Sequence, residues 1–207
     1  MTSPSFVIYD ALAMDPSVSN PLCLECGLCC NGVIFADVQL EREDDAERLR
    51  SLGLQIVGFR RRRGKEGQTT DPQSAIRNPR FPQPCAAFDG CRCRIYADRP
   101  KYCRQFECLL LKNLHAGRIE RTAALRLIRT ARRRADIVRR LLRELGDADE
   151  QAALSGRFRR MKQRMESGIP DGKTAGVFSG LTLAFQDLNV LLSEAFYSGP
   201  GQNSPNI

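Results

Sequence analysis

Residues 21–32 read PLCLECGLCCNG, a run that carries four cysteines within eight positions. A tight loop brings every third side chain to the same side, so the thiols of Cys23, Cys26 and Cys29 can face one centre. The thiolate form of cysteine is a metal ligand and a nucleophile. The spacing therefore predicts a metal site, around which we expect this part of the chain to fold.

A second group of cysteines follows about sixty residues later. Its members are Cys85, Cys91, Cys93, Cys103 and Cys108, and the two groups contain all nine cysteines of the chain. In an oxidising compartment nine cysteines would suggest four disulfides and one free thiol. The very short loops between neighbouring cysteines of the first group would gain little from cross-linking, which favours metal binding.

The bulk properties predict a water-soluble protein of the cytoplasm. The chain has 207 residues, and its N-terminus carries Asp10 and Asp15 but no Lys or Arg. A secretory signal would begin with a basic segment and an apolar run. No stretch of eighteen apolar residues is present, so we expect no membrane span. A reducing cytoplasm agrees with metal-bound rather than paired cysteines.

The sequence divides into two regions of different character. We expect an α+β, helix-rich fold, with a cysteine-ligated metal-binding region at 21–116 that contains short strands. An amphipathic helical part follows at 117–197. Residues 1–20 are expected to form a loosely held arm, and residues 198–207 a frayed tail.

Local patterns predict individual elements. Partial periodicity predicts a helix at 38–52, with Asp37 as its cap and Gly53 after its end. Residues 60–84 contain four prolines and a basic run, which predicts a long loop. Short strands are predicted at 33–35, 54–59 and 94–96. Apolar residues at three- and four-residue steps predict helices at 118–145, at 148–166 and around 181–196.

The ligand pattern leaves alternatives open. Bacterial ferredoxins use Cys-x2-Cys-x2-Cys with a distant fourth cysteine, whereas structural zinc sites use two Cys-x2–4-Cys pairs. The first pattern fits Cys23, Cys26 and Cys29. The fourth ligand could be Cys85, Cys93, Cys103 or Cys108.

Cys30 complicates a single centre. Adjacent side chains tend to diverge, so Cys29 and Cys30 are expected to face different places. Cys30 is then either a small buried packing residue or a ligand of a second centre. Eight cysteines would complete two four-coordinate centres and leave one thiol over.

The second group carries a specific resemblance. The segment CRIYADRPKYCRQFEC at 93–108 resembles the signature of the YkgJ-like cysteine-cluster family, as do the Cys-x2-Cys-x2-Cys-Cys run and the pair Pro84-Cys85. Members are described as zinc- or iron-chelating or Fe–S-cluster-containing proteins. The resemblance covers about residues 20–110 and implies a cysteine-ligated metal centre. The ligands it implies are Cys23, Cys26, Cys29, Cys30, Cys85, Cys93, Cys103 and Cys108.

Residues near these cysteines have expected supporting roles. Cys91 falls outside the family pattern and is the candidate spare thiol. Arg99 and Arg104 flank the ligands and are expected to offset thiolate charge, unless they form surface salt bridges. Tyr96 is expected to shield the centre. His115 is the only histidine, and a surface position is favoured over a ligand role.

Three interpretations of function follow. The leading one is a protein with one or two cysteine-ligated centres, most simply an iron–sulfur cluster ([4Fe–4S]) or iron, that transfers electrons, senses redox state or delivers metal. Thiolates alone also suit zinc. The second is a zinc-binding module that contacts nucleic acid or an acidic partner. The third is an Fe–S-dependent protein-modifying enzyme, because a flagellin lysine methylase has a similar cysteine cluster.

The basic charge bears on partners. The formal net charge is +8, and ten arginines lie between Arg118 and Arg143. Such a face attracts anionic partners, but a solvated helix that packs through its other side is the favoured interpretation. The sequence leaves open an unknown protein partner and a homodimer formed through this helix.

Overall fold

The computed structural model describes residues 21–60, 76–90, 92–168 and 170–197. The predicted arm, the predicted tail, most of the basic run and Cys91 lie outside these residues. The described part contains many helices and one small antiparallel sheet, which confirms the predicted α+β, helix-rich class.

The described residues contain seven helices and three strands. The helices are α1 (Pro21–Cys26), α2 (Ala46–Ser51), α3 (Lys101–Gln105), α4 (Leu109–His115), α5 (Arg121–Glu144), α6 (Leu154–Glu166) and α7 (Gly172–Ala195). The strands are β1 (Asp37–Gln39), β2 (Val57–Arg60) and β3 (Ile76–Pro82).

The sheet has the order β1-β3-β2, and both pairs are antiparallel. Its central strand β3 lies where the sequence predicted only loop, and that prediction was wrong for 76–82. Proline cannot donate to a ladder and is rare in central strands. Here the carbonyl of Pro79 accepts a hydrogen bond from the Leu40 amide at 2.7 Å. The register shift between Val57 and Phe59 makes the pairing irregular.

The predicted helix at 38–52 is mostly wrong. Its first residues belong to β1, where Val38 is buried while Asp37 and Gln39 are exposed. Only Ala46–Ser51 is helical, and Asp45 rather than Asp37 caps it by accepting a hydrogen bond from the Arg48 amide at 2.9 Å. The alternation of buried and exposed residues has a period of two, which fits a strand rather than a helix.

The C-terminal helices agree better with their patterns. Helix α5 buries a stripe of apolar residues at three- and four-residue steps, and it packs most extensively against α7. Phe158 of α6 stacks on Phe185 of α7, with ring centroids 4.0 Å apart. The buried Arg157 bonds Asp147 at 2.6 Å and ties α6 to the loop after α5.

One hydrophobic core joins the cysteine region to the C-terminal helices. A single cluster of buried apolar residues includes both Leu22, in the cysteine region, and Phe196, at the end of α7. The Leu154 amide donates to the Gly32 carbonyl at 2.9 Å, and the Leu109 amide donates to the Phe196 carbonyl at 3.0 Å. The predicted division between 116 and 117 stays a prediction, but α5 packs against α1, and Ile128 of α5 lines the cavity that the cysteines also line.

Helix α7 is the one described segment that could span a membrane by length and composition, with a mean hydropathy of 1.3 in its most apolar window. Core helices pass the same test. Leu181, Leu188 and Leu192 of α7 are buried in the hydrophobic core, which favours a core helix. The absence of a membrane span stays a prediction.

The turn after α1 brings the two cysteine groups together. Gly27 ends this helix with a φ of +64°. A Cβ at this position would lie 2.7 Å from Cζ of Phe88. Phe88 belongs to the turn between Cys85 and Cys93, so the absence of a side chain at position 27 lets the two segments meet.

Replacing Gly27 with alanine is expected to destabilise the fold strongly. A left-handed backbone costs an alanine roughly 1 kcal/mol, and the overlap with Phe88 adds about 1–3 kcal/mol. Gly117→Ala is the matched control, because Gly117 has a φ of +65° and no atom near its Cβ position. Urea unfolding should show a clearly larger loss for Gly27→Ala. Equal losses would contradict the described contact.

Candidate metal centre

All eight described cysteines line one cavity of about 110 Å³. They are Cys23, Cys26, Cys29, Cys30, Cys85, Cys93, Cys103 and Cys108, and each is a free thiol. The cysteines of both sequence groups thus meet in the folded chain. Apolar side chains such as Leu28, Ile34 and Phe88 form much of the remaining wall.

The first group is arranged by α1 and the turn that follows it. Cys23 and Cys26 lie on the helix, and the amide of Gly27 closes its end by donating to the Cys23 carbonyl at 3.4 Å. The next turn places Cys29 and Cys30, with the Cys30 amide donating to the Gly27 carbonyl at 3.0 Å. The local chain therefore folds back on itself around these thiols.

The second group is attached to the first by backbone contacts. The Cys85 amide donates to the Cys30 carbonyl at 2.8 Å. An isolated bridge between Phe88 and Cys93 closes the turn that contains both Cys85 and Cys93. Cys103 lies on α3, and Cys108 immediately precedes α4.

The thiols divide into two sets of four. The charges of Cys26, Cys108 and Cys23 act on Cys29, whereas those of Cys85, Cys93 and Cys103 act most strongly on Cys30. We call Cys23, Cys26, Cys29 and Cys108 the first set, and Cys30, Cys85, Cys93 and Cys103 the second set. Cys30 also acts on Cys29, and Cys26 acts on Cys30, so the two sets adjoin.

Burial controls the chemistry of these thiols. It raises the pKa of Cys23 to about 11 and the pKa values of Cys26 and Cys103 to about 12, and neighbouring thiols add to the effect. Burial also raises the pKa values of Cys29 and Cys30 above their ordinary value. At neutral pH the metal-free site therefore holds neutral thiols, and a metal must displace their protons to bind.

Eight thiols are suitable donors for a thiophilic metal, although they do not converge on one point in this structure. In the described part of the chain, no three Cys, His, Asp or Glu side chains already converge closely enough to hold an ion. The cavity also contacts Gln83, which is 2 % exposed and whose Oε1 has no hydrogen-bond partner among the described residues. An unpaired buried oxygen is costly, which suggests a cavity built for a polar occupant.

Arg99 is placed to offset thiolate charge in both sets. Its charge opposes the burial effect on the pKa values of Cys23, Cys93 and Cys103. Its Nε donates to the Tyr96 carbonyl at 2.8 Å, and its guanidinium carbon lies 3.4 Å from the Tyr96 ring centroid. Both residues line the cavity.

Other residues singled out in the sequence lie elsewhere. Arg104 is exposed and is not among the cavity residues. His115 is exposed at the end of α4, with Nδ1 3.2 Å from a carboxylate oxygen of Glu107. Its position agrees with the surface role that the sequence favoured.

Sequence reasoning missed a row of arginines on α5 whose side chains bind residues in and beside the first group of cysteines. Arg132 donates from Nε and Nη2 to the Cys26 carbonyl, at 3.0 and 2.7 Å. Arg139 donates to the Asn31 carbonyl at 3.2 Å, and Arg121 pairs with Glu25. Steps of eleven and seven residues are three and two helical turns, so these arginines share one face of α5, but other arginines of this helix have helical spacing as well, and spacing alone does not show which face meets the cysteine loop.

Tyr197 was missed as well. It follows α7, and burial together with the charge of Cys29 raises its pKa to about 12. It therefore lies near the first set as a neutral phenol. No periodic signal in the sequence connects this terminal residue with the cysteines.

Removing Arg132 is expected to weaken metal retention. Arg132→Ala loses both hydrogen bonds to the Cys26 carbonyl and a cation beside the first set, and changes to such supporting residues weaken metal binding about 10–100-fold. The rate at which a chelator removes metal should rise accordingly. Arg133→Ala, on the exposed side of the same helix, should behave like the unaltered protein. Equal rates for both variants would refute the role of Arg132.

Metal affinity is expected to keep rising at alkaline pH. Binding releases protons, so a higher pH favours the metal-bound form. Because the pKa values of Cys23, Cys26 and Cys103 are raised to about 11 or 12, the increase should continue above the ordinary thiol pKa of 9.0. Zinc competition with a chelator measures this. The urea-unfolded chain is the control and should level off near the ordinary value; identical profiles would contradict burial as the cause.

Comparison with known proteins agrees with this geometry. The family model CxxCxxCC, described as a "putative zinc- or iron-chelating domain", matches residues 22–124, about half of the chain. That segment contains both cysteine groups and ends within the first turn of α5. No curated protein and no solved structure is similar enough to the chain to match it. The family match supports metal binding, and the chain belongs to this CxxCxxCC cysteine-cluster family.

Proposed function

We propose that this protein transfers electrons through two cysteine-ligated iron–sulfur centres. Cys23, Cys26, Cys29 and Cys108 would hold one cluster. Cys30, Cys85, Cys93 and Cys103 would hold the other. Four cysteine thiolates are the usual ligands of a [4Fe–4S] cluster.

The observation that carries this proposal is the divergence of Cys29 and Cys30. Apart from Cys30, the thiols that act most strongly on Cys29 are Cys26 and Cys108, whereas Cys85, Cys93 and Cys103 act most strongly on Cys30 and Cys26 acts on it more weakly. This difference supports a division of the eight thiols into two sets of four rather than one set with surplus ligands. In two-cluster bacterial ferredoxins, the fourth cysteine of the Cys-x2-Cys-x2-Cys-x3-Cys run likewise serves the other cluster, although three residues separate it from the third.

The surroundings of the thiols support a redox role. When bound, an iron–sulfur cluster supplies one-electron chemistry at a potential tuned by charge, hydrogen bonding and solvent exposure. Leu28, Ile34 and Phe88 limit water in the cavity. Arg99 acts on cysteines of both sets and would offset their negative charge. Adjoining sets would also keep the distance between two centres short.

Zinc is the competing occupant, because four thiolates also form structural zinc sites. Eight free thiols suit a reducing compartment, and on that ground we propose a cytoplasmic location. The triple spacing of the first group favours iron–sulfur over zinc.

Replacing Cys29 or Cys30 singly with serine tests the assignment of the eight cysteines to two ligand sets. Protein purified without oxygen should be brown and contain about eight iron atoms and as many sulfides, four of each per cluster. Cys29→Ser and Cys30→Ser should each retain about half of both. Cys91→Ser, at the position that the family pattern omits, should retain all.

Three results would overturn the proposal. Colourless protein with stoichiometric zinc would exclude the iron–sulfur assignment. Complete loss of iron in one serine variant with full retention in the other would show one centre only. Loss of half the iron in Cys91→Ser would show that the ligand sets are wrong.

A further inference from the structure

The outer face of α5 carries a row of four arginines, Arg126, Arg129, Arg133 and Arg140. All four side chains are exposed. No side-chain hydrogen bond or ion pair links any of them to another described residue. We call these residues the outer row, in contrast to the inner row of Arg121, Arg132 and Arg139.

The spacing places the outer row along one line. Its steps are three, four and seven residues, which are close to one, one and two helical turns, so the row extends over about 21 Å. Like charges at three- and four-residue steps destabilise a helix. Two acidic residues lie on this line: Asp136, which bonds Arg139 of the inner row at 2.9 Å, and the exposed Glu144, four residues after Arg140. The four arginines outnumber these two carboxylates, so this face has a net positive charge.

The other arginines of α5 are used within the protein. Arg132 and Arg139 bind carbonyls of the cysteine loop. Arg134 donates to the Asp187 carbonyl at 2.6 Å, and Arg143 pairs with Glu150 at 2.8 Å. Every arginine of this helix outside the outer row thus has an acceptor within the described residues. The guanidinium groups of the outer row remain available to a partner.

We infer that the outer row binds the phosphate backbone of a double-stranded nucleic acid. The planar guanidinium, unlike an ammonium, matches phosphate with paired hydrogen bonds. A basic stripe along a helix in a protein of net charge +8 is the electrostatic pattern of nucleic-acid binding. This inference goes beyond the proposed electron transfer and does not depend on it.

The composition of the row favours a duplex over two other partners. It contains no aromatic residue on which single-stranded bases could stack. Among the described residues, Ile137 is the one exposed large hydrophobic residue of α5. Protein interfaces are enriched in aromatic residues and methionine as well as arginine, and their centre is apolar; with one exposed apolar residue, this face fits a polyanion better than an acidic protein.

Salt dependence of binding to a labelled DNA duplex of about 25 base pairs tests the inference. Four phosphate contacts predict a slope of log affinity against log salt of about −3.6, or about a 150-fold loss between roughly 50 and 200 mM NaCl. Arg129→Gln with Arg133→Gln should reduce the slope by about 1.8. Fluorescence anisotropy on the metal-loaded protein measures both.

The control removes the same charge from paired arginines. Arg143 and Arg160 pair with Glu150 and Asp149, so Arg143→Gln with Arg160→Gln should leave the slope nearly unchanged. An equal fall in both double variants would indicate net charge alone and overturn the site. So would undetectable binding at low salt, or competition by polyglutamate as strong as that of unlabelled duplex, which would indicate an acidic protein partner. Unchanged metal content in both variants separates these outcomes from failure of the metal proposal.

Discussion

Burial of eight thiols in one apolar cavity is the constraint on which the rest of the structure depends. Without metal these groups must stay protonated, because an isolated thiolate is expensive in such surroundings. Their mutual repulsion as thiolates adds to that cost. A bound metal reverses the balance and converts binding energy into folding energy. The short helices and irregular strands of this half of the chain have a small hydrophobic core. Their folding therefore depends more on the metal centre than the folding of a domain with a larger core would.

Helix α5 connects that centre to the remainder of the molecule. Its apolar stripe packs on α7, its inner arginines hold the backbone of the cysteine loop, and its outer arginines face solvent. The family match ends at residue 124, so Arg132 and Arg139 lie beyond the matched segment. Hydrogen bonds from arginine to a backbone carbonyl depend on loop shape rather than on the loop's side chains. They fix the position of the first set without supplying a ligand.

Several features could be predicted from sequence because their signals are local. The cysteine spacing indicated metal chemistry, and the apolar periodicity of α5 indicated a long amphipathic helix. The strand at 76–82 could not be predicted, since Pro79 and Pro82 are strand breakers. The strand forms because distant partners pair with it, among them Gln39 and Leu40. The start of α2 was misplaced because Val38 and Leu40, spaced two residues apart as in a strand, were joined to the helical spacing of Ala46, Leu49 and Leu52. The assignment of Cys108 to the first set depends on a contact across eighty residues, which spacing does not encode.

Anomalous X-ray scattering at the iron absorption edge, from crystals of protein purified without oxygen, tests the central claim most directly. We expect two separate iron positions, one surrounded by Cys23, Cys26, Cys29 and Cys108 and the other by Cys30, Cys85, Cys93 and Cys103. A single position shared by both sets would contradict this expectation. So would cysteines joined as disulfides, or a signal that appears only at the zinc edge.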